Sequence, residues 1–202
     1  MSIRTVFGGV DGEKIRAVIG HAPSELIESI AEELEDELED LDDDEEGGEE
    51  ENLSAVWEAV RGQLAGEASA TRPANEGYVG YVAAEKLADH VHEEPLWTAF
   101  EVKHAFWYDL QDSSGDAAAG ISDLLDALAE GRGLFGDAIQ CECYYALFTI
   151  EETKRLRDGL ATIAEHTKNE EFKEILTDKD DGAVPCLDQI LKAGLTLYVS
   201  AR

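Results

Sequence analysis

Apolar residues recur along most of the chain at the spacing of amphipathic helices. The clearest case is one stripe with steps of three and four residues, formed by Leu26, Ile30, Leu34, Leu38 and Leu41. This stripe predicts a helix that begins at the capping residue Ser24 and ends near Leu41. Asn52 is a second capping residue, and the apolar positions after it predict another helix that ends near Gly66.

Shorter runs of β-branched and aromatic residues interrupt the helical pattern. They predict strands near residues 2–8, 97–103, 138–148 and 195–201. Directly after the third run, Thr149 and Glu152 have the T-x-x-E spacing of a capping box, which predicts a helix start. Few strands separated by many helices indicate an α+β fold, in which amphipathic helices cover a small, mostly antiparallel sheet.

The length of 202 residues predicts one domain over residues 1–202. Within it, residues 42–51 are acidic, contain a glycine pair and have no apolar stripe, so we predict a mobile loop there. Residues 66–77 are small and polar with one proline, which is typical of a linker between helices.

Charge narrows the classes of partner. The chain has 46 Asp and Glu against 16 Lys and Arg, a net charge of −30. Such a chain repels phosphate backbones and anionic membrane surfaces, so neither nucleic acid nor a membrane is an expected ligand. The acidity indicates either a salt-rich setting or a specific basic partner protein, and composition does not separate the two.

The N-terminus has no signal-peptide pattern, and the apolar runs are too short to span a bilayer. With three cysteines, an odd number, the chain also lacks a disulfide framework. We therefore expect a cytoplasmic protein.

Three residues are candidates for acid–base catalysis. His104 has the acids Glu101 and Asp109 close in sequence, and an imidazole beside a carboxylate can act as a general base. No nucleophile elbow, Walker loop or dinucleotide fingerprint accompanies them. The glycine-rich stretch GRGLFG follows a predicted helix rather than a strand, which makes it a weak phosphate loop.

Two pairs of residues are candidates for metal binding. His90 and His92 form an H-x-H, but on a helix the two rings diverge by about 200°. Cys141 and Cys143 share one face of the third predicted strand at about 7 Å, which is wide for a shared ion. A polar helix end and core packing are the structural explanations of these pairs. We predict no metal and no cofactor.

The acidic segment supplies candidate partner-binding residues, namely Asp42, Asp43, Asp44, Glu45 and Glu46. They lack the alternating pattern of an EF-hand. They could mimic the charge of DNA toward a basic protein or hold cations diffusely, and a solvated surface is the structural alternative.

Three stretches resemble the YfbM-like families of uncharacterised bacterial proteins. They are VFGGVDGEKIRAVIG at the start, ECYYALFTIEETKRLRDGL, and CLDQILKAGLTLYVSA at the end. The resemblance implies an intracellular α+β domain. It brings no established activity, so no catalytic residue is carried over, and the acidic stretch of residues 32–52 is not part of the matched pattern.

Together these observations favour a non-catalytic cytoplasmic domain that binds a protein or regulates one, possibly of the immunity type. Two alternatives remain open: a small hydrolase that uses His104 with a nearby acid, and an acidic protein that mimics DNA or interacts with cations. The oligomeric state is not predicted.

Overall fold

The computed structural model describes residues 3–41, 49–92, 96–139 and 143–201, and their side chains except those of residues 36–41 and 49–52. The elements in these ranges, in chain order, are β1 (Arg4–Val10), α1 (Gly12–Val18), α2 (Ser24–Leu41), α3 (Glu49–Ala65), α4 (Gly77–Val91), β2 (Leu96–Lys103), α5 (Ala105–Ser114), a 3-10 helix (Gly115–Ala118), α6 (Ser122–Glu130), β3 (Tyr144–Leu147), α7 (Ile150–His166), α8 (Glu170–Thr177), α9 (Ala183–Lys192) and β4 (Thr196–Ala201).

The four strands form one sheet in the order β2, β1, β4, β3, and every neighbouring pair is antiparallel. The predicted α+β fold is therefore confirmed. The predicted third strand, residues 138–148, was too long, because β3 covers only Tyr144–Leu147. Ala138 instead forms an isolated bridge with Asn75, and its carbonyl accepts the N–H of Glu76 at 3.0 Å.

The chain divides into two compact units. The sheet unit consists of residues 1–12, 94–132 and 142–202, and the helical unit consists of residues 13–93 and 133–141. All four strands belong to the sheet unit, and α2, α3 and α4 belong to the helical unit. That the whole chain acts as one domain stays a prediction.

Aromatic rings fill the core of the sheet unit between β1, β2 and α5. The ring of Phe7 lies 4.3 Å from that of Phe100 and 5.8 Å from that of Trp107, measured between centroids. All three side chains are buried, as are Leu187 and Ile190 on α9. Helices α7 and α9 pack against each other and against β4, so amphipathic helices cover this part of the sheet.

The predicted capping box at the start of α7 is confirmed. The Thr149 hydroxyl accepts the Glu152 N–H at 3.2 Å, and the Glu152 carboxylate accepts the Thr149 N–H at 2.8 Å. Arg132 also donates to this carboxylate at 2.8 Å. Burial alone would raise the pKa of Glu152, but the hydrogen bonds from Thr149 and Arg132 outweigh it and lower that pKa.

Replacing Thr149 by alanine is expected to lower the free energy of unfolding by about 1 kcal/mol, because an N–H of the first helical turn loses its acceptor. Thr149→Ser keeps that acceptor and is the matched control. Urea unfolding followed by circular dichroism measures both. Equal stability of the two variants would contradict the importance of this cap.

The predicted stripe of α2 is buried in the helical unit. Leu26, Ile30 and Leu34 are buried, and the helix ends at Leu41 as predicted. Helix α2 packs on α4, where Lys86 pairs with Glu33 at 3.0 Å. This part of the acidic stretch is thus an amphipathic helix with carboxylates on its outer side.

The predicted acidic loop was wrong at its end. Helix α3 begins at Glu49, three residues before the predicted cap, so residues 49–51 are helical. Carboxylates are favourable in a first helical turn because the helix dipole is positive there. Residues 42–48 lie outside the described residues, so a mobile loop there stays a prediction. Across the described ranges, no helix combines the length and apolarity needed to cross a membrane.

Candidate functional site

The hydroxyl of Tyr144 is the centre of a polar cluster inside the sheet unit. It lies 2.6 Å from Nδ1 of His104, 3.0 Å from the hydroxyl of Thr5 and 2.9 Å from the carbonyl oxygen of Leu128. These partners come from β1, from the turn between β2 and α5, and from α6. One buried oxygen therefore connects three elements to β3.

Counting protons assigns the tautomer of His104. A carbonyl oxygen only accepts, so the single hydroxyl proton of Tyr144 is donated to Leu128. Thr5 and His104 must then donate to the Tyr144 oxygen, which places the proton of a neutral imidazole on Nδ1. The Nε2 atom of His104 consequently carries a lone pair that can accept a proton or a hydrogen bond.

Burial governs the titration of this cluster. It lowers the pKa of His104, because the charged imidazolium loses hydration. It also raises the pKa of Tyr144 to about 12, although the hydrogen bond from Thr5 acts in the opposite direction. The ring of His104 stands edge-on to that of Tyr108, with centroids 5.2 Å apart. Near neutral pH the cluster therefore contains a neutral imidazole and two neutral phenols.

We expect stability to fall as the pH drops from about 7.5 to about 5.5. The folded pKa of His104 is lower than the unfolded value near 6.5, so its contribution is complete above 6.5. That contribution is lost as the pH falls through the folded pKa, because the unfolded chain binds the proton more readily. Urea unfolding of the wild type and of His104→Gln across this range measures the difference. Parallel pH profiles would contradict the assignment.

The candidate acids do not join this cluster through any described hydrogen bond. Glu101 on β2 pairs instead with Arg4 on β1, and both side chains are about half exposed. Asp109 is exposed on α5. Sequence reasoning placed His104 beside a carboxylate, whereas the structure places it beside the phenol of Tyr144.

The candidate metal ligands are dispersed. His90 is exposed on α4, and His92 follows the end of that helix with an extended backbone. Cys143 is half-buried, and Cys141 lies outside the described residues. Within the part of the chain that the structure describes, no three His, Cys, Asp or Glu side chains are grouped to hold an ion. The partner-binding candidates Asp42, Asp43, Asp44, Glu45 and Glu46 also lie outside the described residues.

A buried carboxylate in the helical unit escaped the sequence analysis. Glu76 is only 1% exposed, and it accepts the backbone N–H of Phe135 at 2.7 Å and that of Gly136. A Cβ atom on Gly133 would lie 2.9 Å from the Glu76 carboxylate, so the glycine allows the loop to approach. GRGLFG thus does surround an anion with backbone amides, but that anion is the protein's own side chain.

Two further side chains of the helical unit hold the same loop by its backbone. Gln63 donates to the carbonyl of Phe135 at 2.9 Å. Arg72 donates to the carbonyl of Gly136 and pairs with Asp137 at 2.8 Å. Together with Glu76 they satisfy the polar groups of an irregular buried segment, which is the accounting that a folded chain requires.

An exposed apolar surface lies on β2. Leu96 and Trp97 are among the large apolar side chains that the structure leaves exposed, and Trp97 is 48% exposed. The indole lies over Gly8 of β1 and stands edge-on to Tyr198 at 6.2 Å between centroids. One side of the indole is therefore packed while the other side is available for contact.

These features define an acidic α+β domain with a four-stranded antiparallel sheet and an exposed aromatic residue on the outermost strand β2. A family model described as a domain of unknown function (DUF7691) matches residues 1–184, and the chain belongs to that family. The match includes β2, Glu76 and the Tyr144 cluster. No curated protein and no solved structure matches the chain.

Proposed function

We propose that this chain is a cytoplasmic protein-binding domain whose partner is a basic protein. The observation that carries the proposal is the exposed pair Leu96 and Trp97 on the outermost strand β2 of a strongly acidic protein. Partly exposed tryptophan is the residue type that most often anchors protein interfaces, since it buries a large rigid area. A regulatory role of the immunity type is the form of this function that the sequence favours.

Charge supports the choice of a basic partner. A net charge of −30 raises the local concentration of cationic proteins and speeds their encounter at low salt. The same field opposes nucleic acids and anionic membranes. Electrostatics then provides the encounter, and the apolar contact at Leu96 and Trp97 provides the lifetime of the complex.

Selection of peptides from a random displayed library tests this function. We expect the selected peptides to be basic, to bind more weakly as salt increases, and to lose about tenfold or more in affinity for Trp97→Ala. Tyr108→Ala removes a second exposed aromatic ring, from α5, and is the matched control. If no basic peptide distinguishes Trp97→Ala from Tyr108→Ala, the proposed function fails.

A second candidate is a small hydrolase that uses His104 as a general base. It is favoured by the tautomer argument, since Tyr144 holds Nδ1 and leaves the lone pair on Nε2. An activated ester such as p-nitrophenyl acetate tests it. This candidate expects His104→Gln to lower the hydrolysis rate by about 100-fold, and equal rates would remove it.

Two finer predictions from the sequence remain predictions. One is the resemblance to the YfbM-like families, for which the matched family provides only the coarser agreement of an uncharacterised domain. The other is presentation of Asp42, Asp43, Asp44, Glu45 and Glu46 to a basic partner as a mimic of DNA or to cations, which is the alternative to a contact at β2.

A further inference from the structure

The two outermost strands of the sheet differ in how their outer backbone groups are used. Beside β3, Arg132 donates its N–H to the carbonyl of Tyr145 at 2.8 Å and forms a bridge with Ala146. Beside β2, the described part of the chain contributes no strand, and β2 is twice as long as β3, with eight residues against four. Unpaired strand edges are templates for a further strand.

The hydrogen-bonding direction along β2 follows from one contact. The N–H of His104 donates to the carbonyl of Ile3 at 3.0 Å, which makes these two residues a hydrogen-bonded pair of the antiparallel ladder. Because such pairs alternate, the backbone of Val102 faces β1, and the backbones of Glu101 and Ala99 face away from it. No described hydrogen bond engages the N–H of Ala99 or Glu101.

The side chains on this edge specify a complementary pattern. Trp97, Ala99 and Glu101 are exposed and alternate with residues that are more buried, so they lie on one face of the sheet. A lysine or arginine opposite Glu101 gains an ion pair, and one opposite Trp97 gains a cation–π contact. The small Ala99 between them leaves room for a branched apolar side chain.

We propose that β2 binds an extended segment of the partner as a fifth, antiparallel strand. The segment has the pattern basic, any, apolar, any, basic, with its three specified residues opposite Glu101, Ala99 and Trp97. This inference rests on the proposed function and adds to it the mode of recognition. Backbone hydrogen bonds supply affinity in this mode, and alternate side chains supply specificity.

Charge favours a basic partner over a second copy of this chain as the occupant. Two copies that paired through β2 would each carry a net charge of −30. A lysine-containing segment is instead attracted by the field of the whole protein. Self-association through β2 is therefore the competing outcome of the test.

The probe is the capped peptide Thr-Lys-Thr-Val-Thr-Lys-Thr, whose central valine is to lie opposite Ala99. Its binding is measured by the fluorescence of a dye attached at its end, with wild type, Ala99→Pro and Ala99→Ser. Proline removes the outward N–H and leaves the ladder with β1 intact, which strand edges tolerate, and serine keeps that N–H. We expect Ala99→Pro to lower affinity about tenfold and Ala99→Ser to leave it within about twofold.

A second pair of probes keeps the test independent of whether Ala99→Pro folds. Methylation of the valine nitrogen removes the N–H that would point at β2, whereas methylation of a neighbouring threonine nitrogen removes one that points to solvent. We expect only the first to abolish binding to the wild-type protein. Protection of the Ala99 and Glu101 amides from hydrogen exchange, in the presence of the unmethylated probe, is the matching spectroscopic result.

Equal affinity of the two methylated probes would overturn strand addition. If Trp97→Ala still weakened the selected peptides in that case, the proposed function would survive without this mode of binding. A wild-type dimer in sedimentation experiments that Ala99→Pro dissociates would also overturn the inference, because a second copy would then occupy the edge.

Discussion

Replacing Glu76 by alanine is expected to lower the free energy of unfolding by about 3 kcal/mol. The change leaves the buried N–H groups of Phe135 and Gly136 without their acceptor, and each such orphaned group costs about 1–3 kcal/mol. Urea unfolding followed by circular dichroism measures the loss. The expected effect is large because the carboxylate is buried and its partners are backbone groups that cannot turn toward another acceptor.

Glu67→Ala is the matched control for this prediction. Glu67 is an exposed glutamate between the same two helices, and its described partner is Arg61 at 3.3 Å. Exposed ion pairs contribute little, so this variant should lie within about 0.5 kcal/mol of the wild type. Gly136→Ala is an independent test, since its Cβ would lie 2.9 Å from that of Glu76 and the loop would have to move. Similar stabilities of Glu76→Ala and Glu67→Ala would show that the buried carboxylate is dispensable.

Replacing Tyr144 by phenylalanine is expected to lower the free energy of unfolding by about 2–4 kcal/mol. The missing oxygen leaves Leu128 without a donor and His104 and Thr5 without their described acceptor. Tyr108→Phe removes one hydroxyl from an exposed tyrosine and should cost about 1 kcal/mol or less. Chemical unfolding of the two variants at the same pH provides the comparison.

The same pair of variants separates the cluster from ordinary packing. Tyr144→Phe should also release the tautomer of His104, which nitrogen chemical shifts of the imidazole report, whereas Tyr108→Phe should leave that tautomer unchanged. If the two variants lost equal stability and shared one tautomer, Tyr144 would not be the organising residue of this cluster.

Local features of the sequence were sufficient for most of the secondary structure. The α2 stripe, the T-x-x-E box and the β-prone runs describe neighbours in the chain, and neighbours are what helix and strand periodicity reports. The helix after Ser24, the cap at Thr149 and the four strands were thereby predicted and confirmed. The misplaced limits, at β3 and at the start of α3, lie where pairing with a distant segment or the charge of a first helical turn decides the boundary.

The candidate sites were less accessible to sequence reasoning. His104 was identified, but its partner Tyr144 is 40 residues away, and the two acids that are close in sequence do not hydrogen-bond to it in the described structure. Glu76 had no distinguishing signal, since it is one of 46 acids in a polar stretch that reads as a linker. Its partners Phe135 and Gly136 are 59 and 60 residues away.

The sequence by itself determined the α+β class, the acidity that selects against nucleic acids, and the starts of the best-capped helices. Only the tertiary structure decided which glutamate is buried, which nitrogen of His104 carries the proton, and that β2 rather than a central strand presents Trp97. Periodicity and capping depend on residues within one or two turns of each other, whereas burial and strand order depend on which distant segments meet.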